Sequence, residues 1–228
     1  MKKVIMISLL AILLNVIFNQ TTQAQKTTLF QGTVTYGISI VGTVEAAIAS
    51  QIPKTSTVTI KDMKTKTETA QGPVIITEMV DASTKKYNLL LDMPTGKYVI
   101  AMTGDSIQKK IKNKMSSTIK LIDSTKTIAG YVCKKAIITF KDAVDGTETV
   151  ESVYYTDEIG GKEINFNSEY YLVPGFLMEY NKNAGSDIVL AYSVSVIKKG
   201  KVSDKIFLVP ADYKELDAAA AQKMFGGE

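Results

Sequence analysis

The feature that most narrows the fold is an alternation of apolar and polar residues with a period of two. From Phe30 to Ile40 the even positions read Phe30, Gly32, Val34, Tyr36, Ile38 and Ile40; the odd positions read Gln31, Thr33, Thr35, Gly37 and Ser39. Successive strand side chains point to opposite faces, so this is a strand with one covered and one wet face. The pattern returns at Ile188, Leu190, Tyr192, Val194 and Val196, opposite Ala191, Ser193 and Ser195. Further strand-like runs fall at 56–61, 74–80, 86–91, 97–102, 118–122, 131–140, 147–155, 175–180 and 205–209. Pro94-Thr95-Gly96, Asp145-Gly146 and Gly160-Gly161 lie between such runs and supply turn dihedrals.

Strands follow one another at hairpin spacing with no helix between each pair, which argues against a doubly wound parallel sheet. Two or three helices are expected, from three candidate segments. One spans 44–51, with Thr43 as N-cap and Pro53 as stop. A second spans 107–115, capped by Asp105 or Ser106, and a third spans 216–224 and ends at Gly226. A sheet of about ten strands must coil or close. The expected fold is mainly antiparallel β (α+β): a single large curved sheet or half-barrel with two or three short helices on its concave side.

The chain opens with Lys2 and Lys3, an apolar run from Val4 to Phe18, and small Thr22 and Ala24 at the −3 and −1 positions of a cleavage site. This pattern predicts a secretory signal over residues 1–24 and one β-rich domain over 25–228. The apolar run is short for a membrane span. A lipid-anchored precursor needs a cysteine at the cut, and the single cysteine is Cys133. The expected product is exported, soluble and not a lipoprotein, either periplasmic or secreted. Its formal charge of +4 includes Lys2 and Lys3; without them the balance gives no reason to bind nucleic acid.

Composition removes whole classes of chemistry. The 228 residues contain no histidine, no arginine, no tryptophan and one cysteine. Ser-His-Asp and Cys-His catalysis, His-ligated zinc and bidentate arginine clamps are therefore absent. Ser-x-x-Lys occurs at Ser83/Lys86, Ser106/Lys109 and Ser117/Lys120, without the Ser-Asp-Asn that accompanies it in Ser-Lys acyl-transfer enzymes. Asp142, Asp145 and Glu148 miss the spacing of a calcium loop, as do Asn181, Asn183 and Asp187; both sets read as polar turns. Nothing in the sequence places Glu163, Glu169 and Glu179 together as a carboxylate pair. Cys133, on a strand, reads as a small buried apolar residue. No catalytic residue, metal or cofactor is expected.

Two further features bear on binding. Residues 105–122 carry Ile107, Ile111 and Met115 on one helical face, with Lys109, Lys110, Lys112 and Lys114 around the rest. Such a basic helix suits an anionic head group or lipid surface, or is a surface helix with solvated lysines. Met178 adjoins Phe176 and Leu177, and methionine adapts to floppy apolar ligands or simply fills core gaps.

Several short motifs carry a family likeness. Thr127-Ile128-Ala129-Gly130-Tyr131-Val132-Cys133-Lys134-Lys135-Ala136 is followed by Val153-Tyr154-Tyr155-Thr156-Asp157-Glu158-Ile159 and then by Leu172-Val173-Pro174-Gly175-Phe176-Leu177-Met178-Glu179-Tyr180. Gln31-Gly32-Thr33-Val34-Thr35-Tyr36 and Val209-Pro210-Ala211-Asp212-Tyr213-Lys214-Glu215 flank them. In this order the chain resembles the DUF4412 family and the related GLPGLI family of exported bacterial envelope proteins. Tyr154 stands where GLPGLI members often carry tryptophan, and only Pro174-Gly175 keeps that motif, so DUF4412 is the better match. The resemblance implies a fold like the lipoprotein carriers LolA and LolB, with a hydrophobic concavity, and it transfers no catalytic residue.

The function expected is a non-enzymatic envelope protein that binds a hydrophobic or lipid-like ligand in the concavity. Val34, Tyr36, Ile38, Met178, Tyr192 and Val194 are the candidate contacts, with Lys109, Lys110, Lys112 and Lys114 as a basic rim. The alternative is an interaction module with a solid core and a protein partner in the envelope. Export makes a direct prediction: the intact mass and N-terminal sequence of the protein from its native host start at Gln25, and a product retaining residues 1–24 contradicts the cleavage site.

Overall fold

The computed structural model describes residues 29–185, 188–217 and Ala220. The signal segment, its cut site and nearly all of the helix expected over 216–224 lie outside these residues. Twelve strands form one sheet: β1 (Gln31–Val41), β2 (Thr55–Lys61), β3 (Lys64–Gln71), β4 (Val74–Asp81), β5 (Lys86–Met93), β6 (Gly96–Thr103), β7 (Met115–Ile128), β8 (Tyr131–Asp142), β9 (Glu148–Thr156), β10 (Phe176–Asn183), β11 (Val189–Lys199) and β12 (Lys214–Glu215). Two α-helices accompany them, α1 (Ala46–Ala49) and α2 (Gly104–Lys114). No helix among the described residues is long and apolar enough to cross a membrane.

The strand order is β12-β6-β5-β4-β3-β2-β1-β11-β10-β9-β8-β7. Two meanders, β1 to β6 and β7 to β11, meet where β1 pairs with β11. All neighbours are antiparallel except β12, which lies parallel to β6, so the sheet is mixed. It curves without closing, with β7 and β12 as its edges.

The period-two strands form where expected, and three differences have local causes. β3 was not expected because its sequence, Lys-Thr-Lys-Thr-Glu-Thr-Ala-Gln, has no hydrophobic stripe. Threonine takes that role: Thr65, Thr67 and Thr69 share one face, and β-branching suits the strand backbone. Residues 205–209 do not form a strand. Asp204–Phe207 is a 3-10 turn capped by the Ser203 hydroxyl, which accepts from the Lys205 N–H at 3.3 Å. Lys61 fixes it to β2 by a 2.6 Å ion pair with Asp204. Val196 does not continue the inward face of β11. A bulge shifts the register so that Thr35 faces Val196 while Tyr36 faces Val194. Beyond it Val196 is exposed and Ile197 packs on the core.

Both helix starts also differ from expectation. α2 is capped by Thr103, whose hydroxyl accepts from the Ser106 N–H at 3.4 Å, rather than by Asp105 or Ser106. α1 begins after Glu45 rather than Thr43, with no side-chain cap. α2 packs Ile107 against Val80, Ala82, Tyr87 and Phe166.

The concave face is covered by the connection between β9 and β10, residues 157–175. It buries Ile159, Ile164, Phe166, Tyr170 and Val173. Buried Asn165 ties it into a loop by donating from Nδ2 to the carbonyls of Val173 (3.1 Å) and Gly175 (2.8 Å). Gln108 on α2 donates from Nε2 to the Phe166 carbonyl at 2.5 Å. Gly175 allows close approach, since a Cβ there would lie 2.6 Å from the Thr156 carbonyl oxygen. On the convex face the C-terminal segment lays Tyr213 over Met79, Leu90 and Val99, and Lys97 bridges Asp92 and Asp212 at 3.3 and 3.0 Å.

The β7–β8 hairpin turns on Ala129 and Gly130, both left-handed, with φ of 48° and 85°. That conformation suits glycine and asparagine, while alanine is strained there by about 1 kcal/mol. Ala129→Asn is expected to raise Tm by about 2–4 °C in a domain of this size, as read by thermal unfolding; a lowered Tm contradicts the turn geometry.

Candidate ligand cavity

Between the covering loop and the sheet lies a cavity of about 520 Å³. That is within the range of small-molecule sites. Its floor is the inner face of β1 to β4 together with β10 and β11, its inner wall is residues 164–170, and its lip is formed by residues 48–53, Lys182, Ala184 and Ile188.

The two sides differ in chemistry. One side is aromatic and aliphatic: Tyr36, Phe176, Leu177, Tyr180, Leu190 and Tyr192. Tyr180 and Tyr192 face each other across β10 and β11 and stack at 5.0 Å with an interplanar angle of 12°. Tyr36 meets both edge-on, at 5.9 and 6.1 Å. Its hydroxyl donates to the Leu177 carbonyl at 2.5 Å, which fixes the ring over the floor. A register shift between Leu177 and Glu179, where β10 meets β9, lets Phe176, Leu177 and Met178 all be buried in succession. The other side is polar: Ser56, Thr65, Thr67, Thr69 and Glu78. The Ser56 and Thr69 hydroxyls lie 2.9 Å apart, and Tyr87 donates to Glu78 Oε1 at 2.8 Å.

Of the expected contacts, Tyr36 and Tyr192 line the cavity. Val34, Met178 and Val194 are packed within the core beside it, and Ile38 is buried outside the lining. Lys109, Lys110, Lys112 and Lys114 are all exposed on α2, and none lines the cavity; the lysine at its lip is Lys182. The residues missed are those of β3 and β4, Thr65, Thr67, Thr69, Ile76 and Glu78. The alternating threonines of β3 were the signal that could have found them.

The other candidates have local partners. Cys133 is fully buried, and burial pushes its thiol above the ordinary range. Asp142 accepts from the Val144 and Asp145 N–H groups at 2.7 and 3.3 Å, and Asp145 accepts from Thr147 at 2.8 Å, so both carboxylates close the β8–β9 turn. Asn183 accepts from the Gly185 N–H at 2.8 Å. Ser83 donates to Asp81 at 2.5 Å and Ser106 to the Thr103 carbonyl at 2.8 Å. Glu179 pairs with Lys126 at 2.7 Å, while Glu169 lines the cavity. Among the described residues no three acidic or cysteine side chains gather as a metal site.

Compared with protein-family models and with curated proteins, the chain matches none.

Burial raises the phenols of Tyr36, Tyr87, Tyr170 and Tyr180 well above their ordinary value of 10.0, with nearby Glu78 adding to Tyr87 and Tyr180. Each holds its proton more tightly folded than unfolded. The stability they contribute is complete below about pH 10 and is lost as pH rises beyond it. Tm is therefore expected to fall as pH rises above about 10, with the phenolate absorbance of these four side chains appearing together with unfolding. Full phenolate absorbance in a still-folded protein contradicts this.

Proposed function

We propose that this is an exported, non-enzymatic envelope protein that holds a hydrophobic or lipid-like ligand in the concavity of its sheet. The observation that carries this reading is the cavity beneath the covering loop, with its aromatic wall and a lip at Ile48, Ile52 and Ile188. Each methylene transferred from water is worth about 0.8 kcal/mol, so a chain of eight or more carbons gives useful affinity even in a partly open site. The polar β3–β4 side refines the expectation: the ligand is amphiphilic, with a polar group to satisfy threonine hydroxyls and Glu78. The resemblance to exported envelope families supports the compartment, and the composition supports a binding role over catalysis.

A second reading, an interaction module, draws on β7. This strand is 14 residues long, and among the described residues it pairs only with β8. Its free edge offers backbone groups to a partner strand.

Native mass spectrometry of the mature protein, purified gently from its own envelope, separates the two. A lipid-sized adduct is expected. Thr67→Trp, which fills the cavity from its polar side without removing core packing, is expected to abolish it while circular dichroism stays unchanged. An adduct that survives this substitution lies elsewhere. A clean mass that added dodecyl amphiphiles do not shift overturns the carrier reading and leaves the β7 edge as the next surface to cross-link.

A further inference from the structure

The polar side of the cavity carries a charge preference that the apolar wall does not explain. Glu78 lies on the inner face of β4 and lines the cavity half-buried. One of its oxygens accepts from Tyr87 at 2.8 Å; the other has no hydrogen-bond partner among the described residues. The stacked Tyr180 and Tyr192 rings line the same cavity. Among the described residues the Tyr180 hydroxyl has no hydrogen-bond partner, and neither has that of Tyr192. The further charged residues of the lining are Glu169 and, exposed at the lip, Lys182.

An anionic head group brought to this depth meets the Glu78 carboxylate. A neutral one leaves the free Glu78 oxygen to water. An ammonium brings three donors and no acceptor, and it finds acceptors in the Glu78 carboxylate and the tyrosine hydroxyl oxygens beside electron-rich rings. Resting on the cavity reading above, we propose that the ligand is an amphiphile whose polar end is a cationic amine held at Glu78. Its chain runs along Ile76 toward Ile48, Ile52 and Ile188 at the lip. The site is thus selective for positive head groups, opposite to the preference expected from a lysine rim.

Binding of three probes of equal chain length, dodecylamine, dodecanol and dodecanoate, each below its micelle concentration, tests this by isothermal titration calorimetry at neutral pH. Dodecylamine is expected to bind about tenfold tighter than dodecanol, the difference between a charge-assisted and a neutral hydrogen bond, with dodecanoate weakest. In Glu78→Gln the carbonyl oxygen still accepts from Tyr87, so dodecanol affinity is expected to be unchanged while the amine preference disappears. Dodecanoate binding as tightly as the amine, or a Gln variant that keeps the preference, overturns the assignment to Glu78 and leaves the cavity reading standing. Binding of none of the three overturns both. The ratio in the unsubstituted protein decides the head-group preference even if the variant folds poorly.

Discussion

The tie between the covering loop and the sheet is the constraint on which the rest depends. An open sheet of this width has a concave face too large to leave wet and too curved to fill with its own side chains. Residues 157–175 cover it by a short list of contacts. Asn165 closes the loop on the Val173 and Gly175 carbonyls, the absent side chain at Gly175 lets the loop leave β9 and enter β10 at close range, and Phe166 reaches across to α2. Buried amide hydrogen bonds of this kind are costly to leave unmade. Because the loop is held at both ends of the concavity, the space between it and β1–β4 stays open.

The backbone of this fold was largely legible in the sequence, because the same period-two rule governs both pattern and strand. Gln31–Val41 alternates in burial along most of its length as its residues alternate in type. The rule failed where geometry changes without a change in composition. Nothing in Tyr192-Ser193-Val194-Ser195-Val196 announces a bulge, yet it sends Val196 outward and Ile197 inward. The site was less legible for another reason. Hydrophobicity identified Val34 and Val194, which pack in the core beside the cavity rather than in its lining, and passed over Thr65, Thr67 and Thr69, which line it. Apolar strength marks the solid core; a cavity wall has an intermediate character.

That mixed character shapes what the concavity can hold. The tyrosines supply apolar rings with polar ends, and Tyr36 shows how tightly such a ring is fixed when its hydroxyl finds a carbonyl. Tyr170 is anchored likewise, by donation to Glu151 and proximity to the Asn181 carbonyl. Rings pinned in this way cannot rotate to fill the space beside them, and the threonines opposite are too short to reach it. Cavity and core therefore use the same residue types at different degrees of tethering.

The β1–β11 pairing has a consequence for how the chain is made. Thr33 sits opposite Lys198, so the strand at the centre of the sheet gets its second neighbour only after some 160 intervening residues have been produced. Until then the first meander ends in a raw edge, and the second has nothing to lean on. A chain wired like this stays unfinished, and open to mispairing, through nearly the whole of its synthesis. Its completion waits on one late strand.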